Sequence, residues 1–201
     1  MMRPKSIKKH VLRYYYVFNI SQCRDIPSTL IPKVRKRNNV PLSNCEFIIE
    51  DMPDAPAIRH CEGEAYYVLS ADSVYMPYLE SFDNSDSYYS VLFHELIHST
   101  GHARRLNRKE VTDAPDFGSA PYSLEELTAE IGACYLDSYC GRTDTGIANS
   151  IGYIQSWLSV LRNDRKCIVH AAARAQQAVD YILNVDRTGG EPETVPAEEM
   201  G

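Results

Sequence analysis

The sequence contains no long run of hydrophobic residues. No stretch of its 201 residues approaches the ~20 apolar residues that cross a membrane, which excludes a membrane-spanning helix. It also shows no secretory signal, because Arg13 interrupts the one apolar run near the N-terminus. The six cysteines include no C-x-x-C pair, and a chain of this length needs no disulfide framework. We therefore expect a soluble cytoplasmic protein whose cysteines are mostly small buried side chains.

Acidic residues are almost absent from the first fifth of the chain. Residues 1–41 hold ten Lys and Arg against the single acid Asp25, a net charge of +9, whereas the remainder carries −15. A basic front end on an acidic body indicates contact with a nucleic acid or an acidic protein, although a solvated arm explains it equally well. The nucleic-acid candidates are Lys33, Arg35, Lys36 and Arg37.

Residues 94–98 form the most informative motif, H-E-x-x-H. Residues four apart lie on one face of a helix, so His94 and His98 can offer imidazole nitrogens to a single ion. Glu95 lies about 100° round the helix from His94, where it can polarise a metal-bound water without being a ligand. The surrounding residues are apolar, and Gly101 could end the helix in a left-handed conformation.

A zinc site of this kind needs a third protein ligand. The extended motif would place a histidine at position 104, but Arg104 stands there and His102 comes two residues too early. A second helix over residues 124–137 offers carboxylates: Glu126 and Glu130 share a face, with Asp137 further along it. One carboxylate could ligate the metal and the next could orient a histidine through its other ring nitrogen.

The same helix begins at a capping-box spacing, Ser123 followed by Glu126. In the alternative interpretation, Glu126 is only the capping partner and Glu130 is solvated. Small residues on this helix, Ala129, Gly132 and Ala133, would let another helix approach closely.

The rest of the chain predicts an α+β fold. Residues 11–20 favour a strand, and residues 42–51 favour a helix with Ser43 as its cap. Three short β-prone runs predict a small antiparallel meander, with the last run as an edge strand that could pair with an extended peptide. These runs are residues 57–60, 65–69 and 73–76.

Further along, residues 103–122 contain three Pro or Gly residues and predict a long loop. Apolar spacing predicts two packing helices, over residues 147–161 and 167–183. We therefore expect a basic arm at residues 1–10, one domain over residues 11–184, and a disordered acidic tail at residues 185–201.

Several sequence blocks, in this order, resemble the zincin-like metallopeptidase domain of the ArdC antirestriction family. They are residues 16–22, 88–102, 122–133 and 153–157, with Asn149 and the final Ala-rich helix. The resemblance implies a zincin-like fold in which a small antiparallel sheet packs with an active-site helix and a C-terminal helical bundle. It also implies a bacterial, phage or mobile-element origin. Members of the family carry an N-terminal domain that binds single-stranded DNA, and here we expect only a short basic arm in its place.

The resemblance also implies the site. His94 and His98 would bind one Zn²⁺, Glu95 would be the catalytic base, and Glu126 would be the third ligand with Glu130 as the alternative. His102 or Tyr122 could donate to the developing oxyanion, or be respectively a helix-end cap and a core aromatic.

The implied activity is zinc-dependent hydrolysis of peptide bonds in a protein substrate. Two alternatives stay open. One is a non-proteolytic domain with a structural metal that binds single-stranded DNA or a restriction or repair protein; the other is hydrolysis of a different amide. Iron, manganese or cobalt could occupy the same ligands in place of zinc.

Overall fold

The computed structural model describes residues 23–27, 29–30, 36–113, 116, 119–142 and 166–185. The chain forms two compact units, Met1–Val34 and Arg35–Gly201. In the first unit, the described part is a short turn in which the Leu30 amide donates to the Pro27 carbonyl at 2.9 Å. The strand predicted over residues 11–20, the helix predicted over residues 147–161 and nearly all of the predicted tail lie outside the described residues.

The second unit has an α+β architecture, as the sequence predicts. Its helices are α1 (Ser43–Asp51), α2 (Ser85–Thr100), α3 (Lys109–Thr112), α4 (Ala120–Tyr139) and α5 (Lys166–Ile182). Its strands are β1 (Ala57–His60), β2 (Tyr66–Val68) and β3 (Ser73–Met76). Among the described residues, no helix combines the length and apolar character that crossing a membrane requires.

The three strands form where the sequence predicts them, but the antiparallel meander is wrong. The sheet is mixed, with the order β1-β3-β2: β3 pairs in parallel with β1 and antiparallel with β2. β3 is therefore the central strand and not an edge. Its Ser73, Val74 and Met76 are fully buried, which suits a strand shielded on both sides. Pro77 lies one residue past β3, so its missing N–H removes no hydrogen bond from the sheet.

The core is built around α2, which packs against α4, α5, β2 and β3. Of the apolar residues that the sequence places around the motif, Val91 is half-buried and the others are buried, as is Tyr89; the buried ones are Leu92, Phe93, Leu96 and Ile97. The helix begins where the Asn84 side chain accepts a hydrogen bond from the Ser87 amide at 2.7 Å. This burial fixes the direction of the helix face that carries His94 and His98.

Gly132 sets the distance between α2 and α4. A Cβ atom at this position would lie 2.6 Å from Cδ1 and 2.8 Å from Cγ1 of Ile97, so a larger residue would force Ile97 to shift. Ala129 and Ala133 beside it are also buried. The close approach that these small residues predict is confirmed.

Several predicted helix ends are wrong. Ser43 is the first residue of α1, and the cap is Leu42 with no side-chain hydrogen bond. Helix α4 begins at Ala120, four residues before the predicted start at residue 124, with Ser119 as its cap, so Ser123 lies inside the helix. The predicted loop over residues 103–122 contains α3 and the start of α4.

The end of α2 also differs from the prediction. Gly101 has a right-handed backbone, with φ −72° and ψ −9°. Its need for glycine comes from packing instead, since a Cβ there would lie 2.8 Å from Cβ of Val111 and 3.2 Å from Arg108. The segment after α2 therefore lies tight against the helix end.

The cysteines are less buried than expected. Each of the six falls in a described part of the chain, and none forms a disulfide. Cys45 and Cys140 are buried, Cys23 is exposed, and the other three are half-buried. The expectation of mostly buried thiols is therefore wrong.

Candidate metal centre

Helix α2 places two imidazoles side by side. His94 and His98 are one turn apart on the face opposite the core stripe, and their Nε2 atoms lie 3.1 Å from each other. Both side chains are mostly buried, with 17% and 14% exposed. The two nitrogens therefore converge on one point.

Helix α4 brings a carboxylate to the same point. The Glu126 oxygens lie 3.7 Å from Nε2 of His94 and 3.6 Å from Nε2 of His98. These three side chains offer one ligand atom each, and the atoms all lie within 4.8 Å of one another. Glu126 faces His94 and His98 across the interface that Gly132 keeps close.

Each histidine also has a second carboxylate, behind its other ring nitrogen. Glu130 lies 3.3 Å from Nδ1 of His94, and Glu125 lies 3.1 Å from Nδ1 of His98. A carboxylate accepts hydrogen bonds, so these contacts favour a proton on each Nδ1 and leave Nε2 as the nitrogen that would coordinate a cation. Carboxylates placed in this way orient metal-binding histidines.

Sequence reasoning did not find Glu125 or its partner, Arg108. The Arg108 guanidinium donates to both Glu125 oxygens, at 2.9 and 2.6 Å. The signal for Glu125 was available: on a helix it lies about 100° from Glu126, where a carboxylate can reach the far side of His98. Arg108 lies in the segment after α2, where no residue spacing in the sequence indicates a role at the metal centre.

The ionisable side chains of the centre shift one another's pKa. Burial opposes a positive charge on His94, but hydrogen bonds to Glu126 and Glu130 raise its pKa to about 10. Burial likewise opposes the charge on Glu126, yet the hydrogen bond to His94 and the nearby His98 lower its pKa. The cluster therefore attracts positive charge.

The centre opens into a cleft of about 530 Å³. Glu95 lines it and is 8% exposed, next to His94 on α2. Tyr122 also lines it, and its side chain hydrogen-bonds to Glu126. The lining also includes residues in and around β2, namely Glu64, Ala65, Tyr66, Tyr67 and Leu69.

The remaining candidates lie elsewhere. His102 is not among the residues lining the cleft; its Nδ1 accepts from the Arg104 amide at 3.1 Å. That contact lies beyond the end of α2, whose C-cap is Gly101, so the helix-end role of the His102 side chain stays a prediction.

Of the basic cluster, Lys33 and Arg35 fall outside the described residues. Lys36 pairs with Glu80 at 3.1 Å and is 79% exposed. Arg37 is bound to Asp83 and to the carbonyls of Ser81 and Phe82. Its guanidinium therefore already has partners within the fold.

Comparison with known proteins agrees with this architecture. The sequence profile of the zincin-like metallopeptidases matches residues 47–174, which include every residue of the centre. The chain belongs to the zincin-like metallopeptidase family. The family assignment covers both halves of the centre, the H-E-x-x-H helix and the glutamate helix.

This zincin-like domain also has relatives of known sequence. It is 31% identical over 182 residues to the uncharacterized protein y4eC of Sinorhizobium fredii, covering 90% of this chain and 56% of that protein. It is 36% identical over 172 residues to the DNA primase TraC of Escherichia coli, covering 83% of this chain and 11% of the primase. The chain thus spans about half of one relative and a small part of the other.

Among the solved structures that share the fold are two of the antirestriction protein ArdC from plasmid R388, one Mn(II)-bound and one metal-free. The first is 31% identical with a TM-score of 0.56, covering 86% of this chain and 62% of ArdC. The second is 33% identical with a TM-score of 0.57, covering 84% and 58%. The resemblance to the ArdC family is confirmed.

Proposed function

We propose that this domain is a zinc-dependent peptidase whose metal is held by His94, His98 and Glu126. The observation that carries the proposal is the convergence of two imidazole Nε2 atoms and one carboxylate at a single point beside Glu95. Membership of the zincin-like family supports a hydrolytic role, and the Mn(II)-bound ArdC structure supports a divalent ion.

The separations of the donor atoms are close to those of a tetrahedral site, with each nitrogen measured to the Glu126 oxygen on its own side. Bonds of about 2.0–2.1 Å at tetrahedral angles place neighbouring ligand atoms about 3.3 Å apart. The distances here are 3.1 Å between the two nitrogens and 3.6 and 3.7 Å from them to Glu126. Two nitrogens and one oxygen form a donor set typical of catalytic zinc, with the fourth position left for solvent.

When bound, the cation supplies Lewis-acid polarisation of a water molecule and of the substrate carbonyl. Glu95 lies in the same cleft, where its carboxylate accepts the proton of the attacking water and returns it to the leaving amine. Glu130 and Glu125 hold the two imidazoles with their Nε2 atoms directed inward. Tyr122 holds Glu126 and is a candidate donor to the developing oxyanion.

The substrate strand would bind along β2. In the sheet order β1-β3-β2, β2 has one edge without a partner strand among the described residues, and it lies beside the cleft. An extended peptide could add to this edge through its main chain. The sequence predicts that residues 73–76 form the edge that pairs with an extended peptide. We propose that residues 66–68 form this edge instead.

The decisive experiment combines metal analysis with a protein-substrate screen of wild type and Glu95→Gln. Glu95 is not among the proposed ligands, so the variant should keep one zinc per chain and its fold while losing cleavage. Equal cleavage by the two proteins would contradict the mechanism. Absence of zinc from wild type loaded with the metal would contradict the site.

An antirestriction setting is a second proposal, because the antirestriction protein ArdC shares the fold at 31–33% identity. In that setting the partner would be single-stranded DNA or a restriction or repair protein. Restriction assays with wild type and Glu95→Gln separate the two roles. Protection that survives in the variant, together with salt-sensitive binding of single-stranded DNA, would favour binding over hydrolysis.

A further inference from the structure

The Arg108 guanidinium lies buried directly behind the proposed ligand His98. Arg108 is 7% exposed. Besides the two bonds to Glu125, it donates to the Ile97 carbonyl at 2.8 Å and to Thr100 Oγ1 at 2.6 Å. One side chain therefore joins the last turns of α2 to the first turns of α4.

The Glu125 oxygen that Arg108 Nη2 contacts at 2.6 Å is also the one that lies 3.1 Å from His98 Nδ1. A bidentate Arg–carboxylate pair fixes the plane of the carboxylate as well as its position. The oxygen that receives the imidazole N–H is therefore fixed by a group that touches neither the cation nor the substrate.

We infer that Arg108 is a positioning residue of the metal centre and acts through Glu125 to aim Nε2 of His98 at the ion. This inference rests on the proposed function, since its effect is to place a ligand atom. A purely structural role would tie α2 to α4 without changing the affinity of the folded protein for metal.

Arg105 provides a matched control. Its side chain is fully buried, and it donates to the Ser99 carbonyl at 2.7 Å and the Asp54 carbonyl at 2.8 Å, and also binds Asp72. It lies in the same segment, and these partners, together with Tyr67 at the cleft wall, include neither a proposed ligand nor Glu125 or Glu130. Arg105→Met therefore removes a buried guanidinium that, like that of Arg108, makes several hydrogen bonds within the fold.

The test is the Zn²⁺ affinity of the full chain, measured by chelator competition at a temperature where circular dichroism shows each variant to be folded. Arg108→Met and Glu125→Gln should each weaken binding about 10- to 100-fold, as loss of an orienting partner does at other metal sites. The double variant should bind Zn²⁺ no more weakly than the single variant with the lower affinity. Both substitutions interrupt the same chain of contacts, from Arg108 through Glu125 to His98. Arg105→Met should bind within about twofold of wild type.

Three outcomes would overturn the inference: wild-type affinity in Arg108→Met, an equal loss in Arg105→Met, or losses that multiply in the double variant. If Arg108→Met does not fold, NMR of zinc-loaded wild type with ¹⁵N-labelled histidine decides. The expected signal is a slowly exchanging proton on Nδ1 of His98, and a proton on its Nε2 would refute this chain of contacts.

The two proposals fail separately. A wild-type protein that binds Zn²⁺ without cleaving any protein substrate contradicts the proposed hydrolysis and leaves the role of Arg108 intact. Equal Zn²⁺ affinities in wild type and Arg108→Met contradict the role of Arg108 alone. A wild-type protein that binds no Zn²⁺ overturns both.

Discussion

The contact between Gly132 and Ile97 allows a direct test of the close packing between α2 and α4, the two helices that carry the proposed metal ligands. A methyl group added at position 132 would lie 2.6 and 2.8 Å from two carbons of Ile97, which is completely buried. Such overpacking costs typically 1–3 kcal/mol. Ala is a better helix former than Gly by about 1 kcal/mol, which offsets part of this cost. We expect Gly132→Ala to destabilise the fold by about 1 kcal/mol net.

Urea denaturation of a double-mutant cycle with Ile97→Ala measures the contact itself. Truncation of Ile97 opens the space that the new methyl needs, so Gly132→Ala should become stabilising in that background, with a coupling energy of about 1–3 kcal/mol. Ser138→Ala is the control, since it changes an exposed residue on the same helix. The reasoning is refuted if Gly132→Ala stabilises the wild-type background as much as the Ile97→Ala background.

Three further outcomes follow from the same geometry. Glu126→Ala should abolish stoichiometric zinc, whereas Glu130→Ala should only weaken it about 10- to 100-fold, and metal titration separates the two. Asp72→Asn keeps the left-handed backbone that Asn tolerates but loses the ion pair with buried Arg105, which should cost about 2 kcal/mol in urea unfolding at pH 7. Burial opposes the charge of Asp72, yet Arg105 and Tyr67 lower its pKa, so its contribution is complete above about pH 4 and is lost as the pH falls through the folded pKa. Wild type should therefore lose more stability than Asp72→Asn between pH 5 and pH 2, and equal losses would contradict that origin.

Local patterns in the sequence predict much of the fold. The apolar stripe around His94 and His98 identifies α2, and the run of small and acidic residues identifies α4 with its close approach. These features depend on contacts within one helix or on one face, which periodicity describes. The helix boundaries are less well predicted, because Ser119 and Ser123 both have capping chemistry and tertiary packing selects between them.

The order of the strands could not be predicted in this way. Alternation marks a strand but does not name its neighbour, and consecutive strands usually pair with each other. Here β1 skips β2 and pairs in parallel with β3, because the most buried run takes the centre of the sheet. The consequence for function is large, since the edge beside the cleft belongs to β2.

The choice of third ligand shows where spacing along a helix stops being informative. Glu126 and Glu130 lie one turn apart, so periodicity places both on the face toward α2 and separates them no further. The direction of the imidazole rings separates them: Glu126 lies near both Nε2 atoms, whereas Glu130 lies at Nδ1 of His94. Since one imidazole nitrogen ligates while the other donates to its orienting partner, the two carboxylates cannot exchange roles without turning the ring of His94. This asymmetry is the physical reason to place Glu126 on the metal and Glu130 behind the histidine.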